Sequence, residues 1–508
     1  MRVRVGEQLS LEDVVAVARG EAVELSPGAV ERIRRARSVV EARVASGDVV
    51  YGVTTGFGSL ANVRIDPEQA ASLQHRIVRS HATAVGRPLS REEARAMLLL
   101  RAHVLALGYS GVRPVLVERM IEMLNLDLVP VVPEQGSLGA SGDLAPLASL
   151  ALPLIGGGEL LVDGSPLPAE EALAAAGLEP LALQAKEGLA LVNGTQGMLA
   201  VGILACDRAA RLAKTADVAA AMTVEAALGT DVAFDERLQA LRPHAGPGAS
   251  ASNLRRLLEG SEIAASHRES DHLVQDAYSL RCAPQVHGAA REAIGFARGI
   301  LETEVGSVSD NPIVLAETGE ILSGGNFHGQ PVALALDALA TAIVSLASIS
   351  ERRLFRLLDP AMNNGLPAFL VEESGLNSGF MLVQYTAASL VSESKSIAHP
   401  ASVDSIPSSA DQEDHVSMGM TSARHARDVV ANAEIVVAVE TMVAAQALDL
   451  RAPLRPAPGT AAARDLLRRT VPFLDADREL GPDITAAVEL VRSGAIVHAA
   501  EGAVGPLN

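Results

Sequence analysis

The chain has 508 residues, 48% of them hydrophobic, with a mean hydropathy of +0.24, enough to bury an extensive core. Its formal net charge of −19 argues against nucleic acid or an anionic membrane as partner, since both demand basic patches. Two cysteines, Cys206 and Cys282, make no disulfide framework and suit a reducing cytoplasm, and neither an apolar leader nor an uninterrupted apolar run of about 18 residues suggests a membrane segment.

Along the chain, Arg2–Val5 alternates as a short strand, and Ser10 with Asp13 forms a capping box opening a short helix. Ser26 followed by Pro27 predicts the next helix start, with Gly47 as its end. Asp48–Val53 reads as extended and runs into a turn at Thr54–Gly58. Ser90 with Glu93 caps a helix ending near Gly108, and Pro114 opens another ending near Asn125. Leu128–Pro133 then leads into a glycine-rich stretch, Pro133–Ala148.

Beyond Leu189 the pattern changes to long, Ala-rich helices over Met198–Leu228, Pro331–Leu358, Phe380–Ile397 and Ala423–Leu450. In the last of these Val429, Ala433, Val436, Val437, Val443 and Ala447 are apolar on several sides. Such helices belong in the middle of a bundle or in a subunit interface. The class is therefore mainly α, with an N-terminal region over 1–188 and long helices over 189–508. There is no Trp, and only four Tyr and eight Phe, so each tyrosine draws notice.

The run GSLGASGDLAPLA is neither a P-loop nor a G-x-G-x-x-G fingerprint, because the lysine and the spacing are both missing. Glycine lets the backbone take a tightly bent path. In a tight bend the amide nitrogen of Gly142 can approach the carbonyl carbon of Ala140. Attack closes a five-membered ring, and loss of water, including the Ser141 hydroxyl, leaves an exocyclic methylene. That product is an electrophile, which no ordinary side chain supplies. The plainer reading is a glycine-rich turn before a helix capped by Asp143.

The run resembles the prosthetic-group motif of the histidine/phenylalanine ammonia-lyase family. There an Ala-Ser-Gly tripeptide becomes 4-methylidene-imidazol-5-one (MIO), which the resemblance assigns here to Ala140, Ser141 and Gly142. Further segments carry the resemblance in family order from about Tyr51 to Leu450. YGVTTGFG places Tyr51 where the family has a catalytic acid/base, with Thr54 where many members have Asn. Ser80–His81 follows the pattern of histidine-using members, whereas tyrosine users tend to carry His-Leu and phenylalanine users Phe-Leu. Asn193, in LVNGTQ, matches a residue near the prosthetic group and the substrate carboxylate. Gln275, Tyr278 and Arg281 fall in VQDAYSLRC; Tyr278 and Arg281 share a helical face, and a guanidinium suits a carboxylate.

Asn311, in SDNP, and Phe327, in GGNFHGQP, match two further signatures, and Gln412 and Glu413 fall in DQEDHVSM. Histidine-using members carry Glu at the position of Glu413, where a carboxylate can pair with an imidazole nitrogen. One departure is Ser149, where many histidine-using members have His.

The resemblance implies a long-helix bundle of the fumarase/aspartase-like superfamily, with a smaller mixed N-terminal region carrying the MIO loop. It further implies non-oxidative deamination of L-histidine to trans-urocanate and ammonia in a homotetramer with shared sites. Tyr51 is the first choice for the base and Tyr278 the second. Two alternatives stand beside this reading: a tyrosine or phenylalanine ammonia-lyase or aminomutase, and a non-catalytic helical scaffold. No metal is expected, since His267 and His272 are five apart and no H-E-x-x-H occurs.

Overall fold

Helix boundaries follow local capping chemistry. In the computed structural model, which describes residues 2–60, 62–269 and 274–508, Ser10 and Asp13 exchange side-chain and backbone hydrogen bonds at the start of helix Leu11–Ala18. Ser26 Oγ accepts from the Ala29 amide at the head of Pro27–Ser46, which ends at Gly47 in the left-handed conformation. A second reciprocal box, Ser90 with Glu93, opens Arg91–Ala106, and Pro114 opens Pro114–Asn125. The long helices appear as Gln196–Ala226, Gln330–Leu358, Met381–Ile397 and Gly419–Asp449, joined by Ala283–Val305. His272 lies outside the described residues.

The expected extended stretch at Asp48–Val53 is instead a turn. Thr54 Oγ1 accepts from the Val50 amide (2.9 Å) and donates to the Asp48 carbonyl (2.6 Å), curling the chain back on itself. Strands are few and short. Val3–Val5 pairs in parallel with Val23–Leu25, and Val85–Pro88 pairs antiparallel with Pro133–Gln135, directly before the glycine-rich run.

Helix Gln330–Leu358 is long and apolar enough to cross a membrane by length and composition. Asp337 interrupts it, however, and 61% of its most apolar window is buried inside the protein, as in a core helix.

The chain forms two compact units, each built from separate stretches. The first comprises Met1–Leu204, Ala297–Asp337 and Pro400–Arg424. Its helix Arg91–Ala106 is buried from Glu93 onward. Within that helix Arg95 donates to the carbonyls of Val17 and Leu124 and to Asp127, tying three segments together. Helices Pro67–His81 and Glu187–Val192 approach backbone to backbone: a Cβ on Gly188 would stand 2.4 Å from the Gln74 carbonyl oxygen.

The second unit comprises Ala205–Phe296, Ala338–His399 and His425–Asn508. Its interior is mostly aliphatic but contains a buried polar chain. Arg353 makes a two-point ion pair with Glu440, which also accepts from Thr223 and Ser350. Arg353 Nη1 donates to His287 Nε2 (3.2 Å), and His287 Nδ1 faces Asp217 Oδ1 at 2.7 Å. Since Nε2 accepts, the imidazole is neutral and Nδ1 carries the proton to Asp217. Ser250, Asn253 and Arg291 complete the donor set around Asp217.

Candidate active site

The glycine-rich run forms a clamped turn. Ser141 has φ +50° and Gly142 φ +79°, so a non-glycine residue occupies the left-handed region at the heart of the motif. Strain of this kind costs roughly 1–3 kcal/mol and persists only where surroundings impose it. Here the surroundings are the backbone of Gly194. Its amide donates to the Ser141 carbonyl (3.2 Å), and its carbonyl accepts from the Asp143 amide (2.8 Å). A Cβ on Gly142 would lie 2.0 Å from Gly194 O, so only glycine fits. Gly139 and Gly142 are paired across the bend, which folds Ala140 and Ser141 into a tight loop.

Asp143 occupies the N-cap position of helix Leu144–Ala151, yet makes no side-chain cap there. Its Oδ2 instead accepts from the Gly197 and Met198 amides (2.7 and 3.0 Å), at the head of Gln196–Ala226. Burial raises its carboxyl to about 7; those two amides and Arg101 oppose the shift, while Glu304 adds to it.

Above the turn lies a cleft of about 420 Å³ in the first unit. Ala140 and Ser141 line it, together with Tyr51, Asn193, Asn311, Phe327, Gln412 and Glu413. Eight sequence-predicted site residues from six separate motifs thus meet in one cavity, and Gly142 lies buried in the same turn. The Tyr51 hydroxyl accepts from the Gly58 amide (3.2 Å), which fixes the phenol within its own loop. Asn193 Nδ2 donates to Asp310 Oδ1 and to the Asn311 carbonyl, both at 3.1 Å. Lys186, fully buried, pairs with Asp310 at 2.8 Å and so anchors the same cluster.

Glu413 sits on a tight turn paired to Ser408, and its Oε2 accepts from Ser408 Oγ at 3.1 Å. Ser409, Ala410 and Asp411 within that turn are all left-handed. Ser409 Oγ accepts from the Ser59 amide (3.3 Å), latching this turn to the Tyr51 loop.

His81 ends helix Pro67–His81, with Nδ1 3.0 Å from Ser80 Oγ. It is not among the residues lining the cleft. Burial holds its imidazole below the usual value, against the Ile77 backbone and the Glu413 carboxylate, which favour protonation.

Gln275, Tyr278 and Arg281 belong to the second unit. Tyr278 and Arg281 share the helical turn Tyr278–Arg281, with the guanidinium 4.7 Å from the ring centroid. Tyr278 is 70% exposed and the neighbouring Val274 98%. The Ser279 carbonyl accepts from Arg353 Nη1 (3.5 Å), so the buried polar chain of that unit reaches the turn carrying both residues.

Sequence reasoning passed over His328 and His415, which also line the cleft. Their rings stack at 5.9 Å and His328 Nε2 faces the His415 carbonyl. Each stands within a motif, GGNFHGQP or DQEDHVSM, but nothing local signals that the two would meet.

A mainly helical chain that bends an Ala-Ser-Gly turn beneath a polar cleft has the arrangement that the sequence motifs anticipate for an ammonia-lyase. The chain belongs to the aromatic amino acid lyase family, which it matches over residues 9–469. It is 55% identical over 504 residues to the histidine ammonia-lyase of Gloeobacter violaceus, covering 99% of this chain and 98% of that one. Among solved structures it resembles histidine ammonia-lyase from Trypanosoma cruzi, with TM-score 0.92, 44% identity and coverage of 99% and 96%. It also resembles a tyrosine aminomutase from Streptomyces globisporus, with TM-score 0.95, 38% identity and full coverage of both chains. The expected fold class, mainly α with long helices, holds.

Proposed function

We propose that this ammonia-lyase converts L-histidine to trans-urocanate and ammonia, using MIO formed from Ala140, Ser141 and Gly142. The observation that carries the reading is the clamped Ala140–Ser141–Gly142 turn opening into the cleft lined by Tyr51 and Glu413. The turn fits the group: positive φ at Ser141 and Gly142, no room for a Cβ at Gly142, and Ser141 facing the cavity. Once formed, the group supplies an electrophilic carbon for the substrate amine.

The chain's own residues do the rest. Glu413 and Gln412 present polar groups to the imidazole, with His81 behind them. Phe327 packs on the substrate, and Asn193 and Asn311 orient its polar end. Tyr51, held by the Gly58 amide, receives the β-proton.

Arg281 and Gln275 bind the carboxylate, and Tyr278 stands as the second proton-transfer group. In this reading the three come from neighbouring copies in a homotetramer. The exposed apolar residues Val274, Tyr278, Leu382 and Tyr385 in the second unit support such an assembly. Neither Cys206 nor Cys282 is in a disulfide, which fits a cytoplasmic setting.

The second reading, a tyrosine-using lyase or aminomutase, rests on the likeness to the Streptomyces globisporus enzyme. Ser80–His81 and Glu413 favour the imidazole. An ultraviolet assay with histidine, tyrosine and phenylalanine decides. Urocanate absorbance from histidine alone is expected, and a conjugated product from tyrosine instead would sink the reading.

A further inference from the structure

Arg101, on helix Arg91–Ala106, has none of its surface exposed. Its Nη1 donates to the Asn193 carbonyl (2.7 Å) and to Gln196 Oε1 (2.9 Å). Its Nε and Nη2 meet no hydrogen-bond partner among the described residues. A buried guanidinium with idle donors and no directly bonded carboxylate is a poor means of stabilising a fold, since an apolar side chain of that size would avoid the desolvation. Something else accounts for its place.

Its two acceptors bracket Gly194. A Cβ on Gly194 would stand 2.7 Å from Arg101 Nη1, and one on Gly142 would stand 2.0 Å from Gly194 O. Guanidinium, Gly194 peptide and Gly142 backbone are therefore stacked without slack. The two Gly194 hydrogen bonds, to Ser141 O and from the Asp143 amide, grip the peptides on either side of Gly142. We infer that Arg101 is a positioning residue for closure of the Ala140–Ser141–Gly142 ring, backing the Gly194 peptide that presses Gly142 toward the Ala140 carbonyl. The inference rests on the MIO reading above and adds to it the residue that enforces the bend.

The closure needs no outside reagent. A bond forms from Gly142 N to the Ala140 carbonyl carbon. That carbonyl oxygen leaves as water with the amide protons of Gly142 and Ser141, and a C=N bond remains between Ala140 and Ser141. Ser141 Oγ leaves as a second water with the Ser141 Cα proton, creating the exocyclic C=C bond. The rate of such a closure depends on how firmly the two reacting atoms are held together. Arg101 does not line the cleft, so its effect falls on ring formation rather than on turnover.

The test is intact mass under denaturing conditions of full-length wild type, Ser141→Ala, Arg101→Met, Arg101→Lys and Gln196→Met. Each is taken from the soluble fraction with its circular dichroism recorded. Wild type should be two waters lighter than its sequence, about 36 Da, and Ser141→Ala should not be. Most Arg101→Met chains should keep the unprocessed mass. Arg101→Lys should be partly rescued, Gln196→Met should show a smaller unprocessed fraction, and activity should track the processed fraction. Fully processed Arg101→Met overturns the inference. If that variant is insoluble, full processing of both Arg101→Lys and Gln196→Met overturns it. A wild type without the deficit removes the MIO reading itself, and this inference with it.

Discussion

The Ser141 side chain enters the cleft from a left-handed backbone, and alanine in its place meets much the same conformational cost, about 1–2 kcal/mol. Ser141→Ala should therefore fold. It should lose activity by on the order of 10³-fold or more, because no other side chain offers the electrophile. Normal turnover by a soluble Ser141→Ala protein would end the mechanism.

Under the proposed function, substrate choice turns on Glu413 and His81. Glu413 lines the cavity, and its charge acts on His81, whose burial keeps the imidazole toward its neutral form. A neutral imidazole can both donate and accept a hydrogen bond, as a histidine substrate requires. A polar pocket also rejects a ring without matching groups, because its own are left unpaired. Phenylalanine should be poorer than histidine by about 10⁴ in kcat/KM. His81→Leu with Glu413→Gln should cost histidine turnover heavily and narrow that ratio. Equal losses for both substrates would assign these residues to the fold.

At the scale of elements, the loop 193–196 decides whether the turn can form. Gly194 has φ +149°, and an added Cβ would meet Gln196 Oε1 at 2.4 Å and Arg101 Nη1 at 2.7 Å. Neither neighbour is free to yield, since Arg101 is fully buried and Gln196 is tied to Ser309. Gly194→Ala should lower Tm by roughly 5 °C in this reading of the clash. A Tm within one or two degrees of wild type, read by differential scanning calorimetry, would mean the clamp is softer than its geometry.

Such close approaches explain what could and could not be read from sequence. Caps at Ser10, Ser26 and Ser90 and the helix Pro114–Asn125 were legible, because their hydrogen bonds lie within a few residues of each other. The four long helices were legible from composition and length. The turn after Asp48 was not, because a Thr54 hydroxyl, rather than any β-propensity, decides it. Asp143 looked like a local cap but serves a helix that begins more than fifty residues later. Asn193, Asn311, Phe327 and Glu413 were legible only as motif matches, since nothing local shows that they share a cavity. The His328–His415 stack and the guanidinium behind Gly194 have no local signal at all.

At the scale of the molecule, the mostly aliphatic interior of the second unit is crossed by a buried chain of charges. Asp217, fully buried, is held at about 2. Burial pushes it up, but hydrogen bonds from His287 and Ser250 and the Arg291 charge outweigh that effect. His287 is itself held below the usual imidazole value, by burial first and by Arg353, in keeping with a neutral ring donating through Nδ1.

The sign of the pH effect follows. An unfolded aspartate has a pKa near 3.9, so above that the folded state gains from keeping Asp217 ionised, by roughly 2–3 kcal/mol. That gain is lost as pH falls from roughly 4 through about 2, because protonation then favours the unfolded chain. Asp217→Asn should be less stable than wild type at pH 7, since an amide places a donor where His287, Ser250 or Arg291 already donates. Its stability should also depend less steeply on pH between 4 and 2. The measurement is Tm against pH for both proteins, with circular dichroism checking that Asp217→Asn is folded at pH 7. Two curves that run parallel down to pH 3 would show that Asp217 is not the group whose ionisation holds the second unit together.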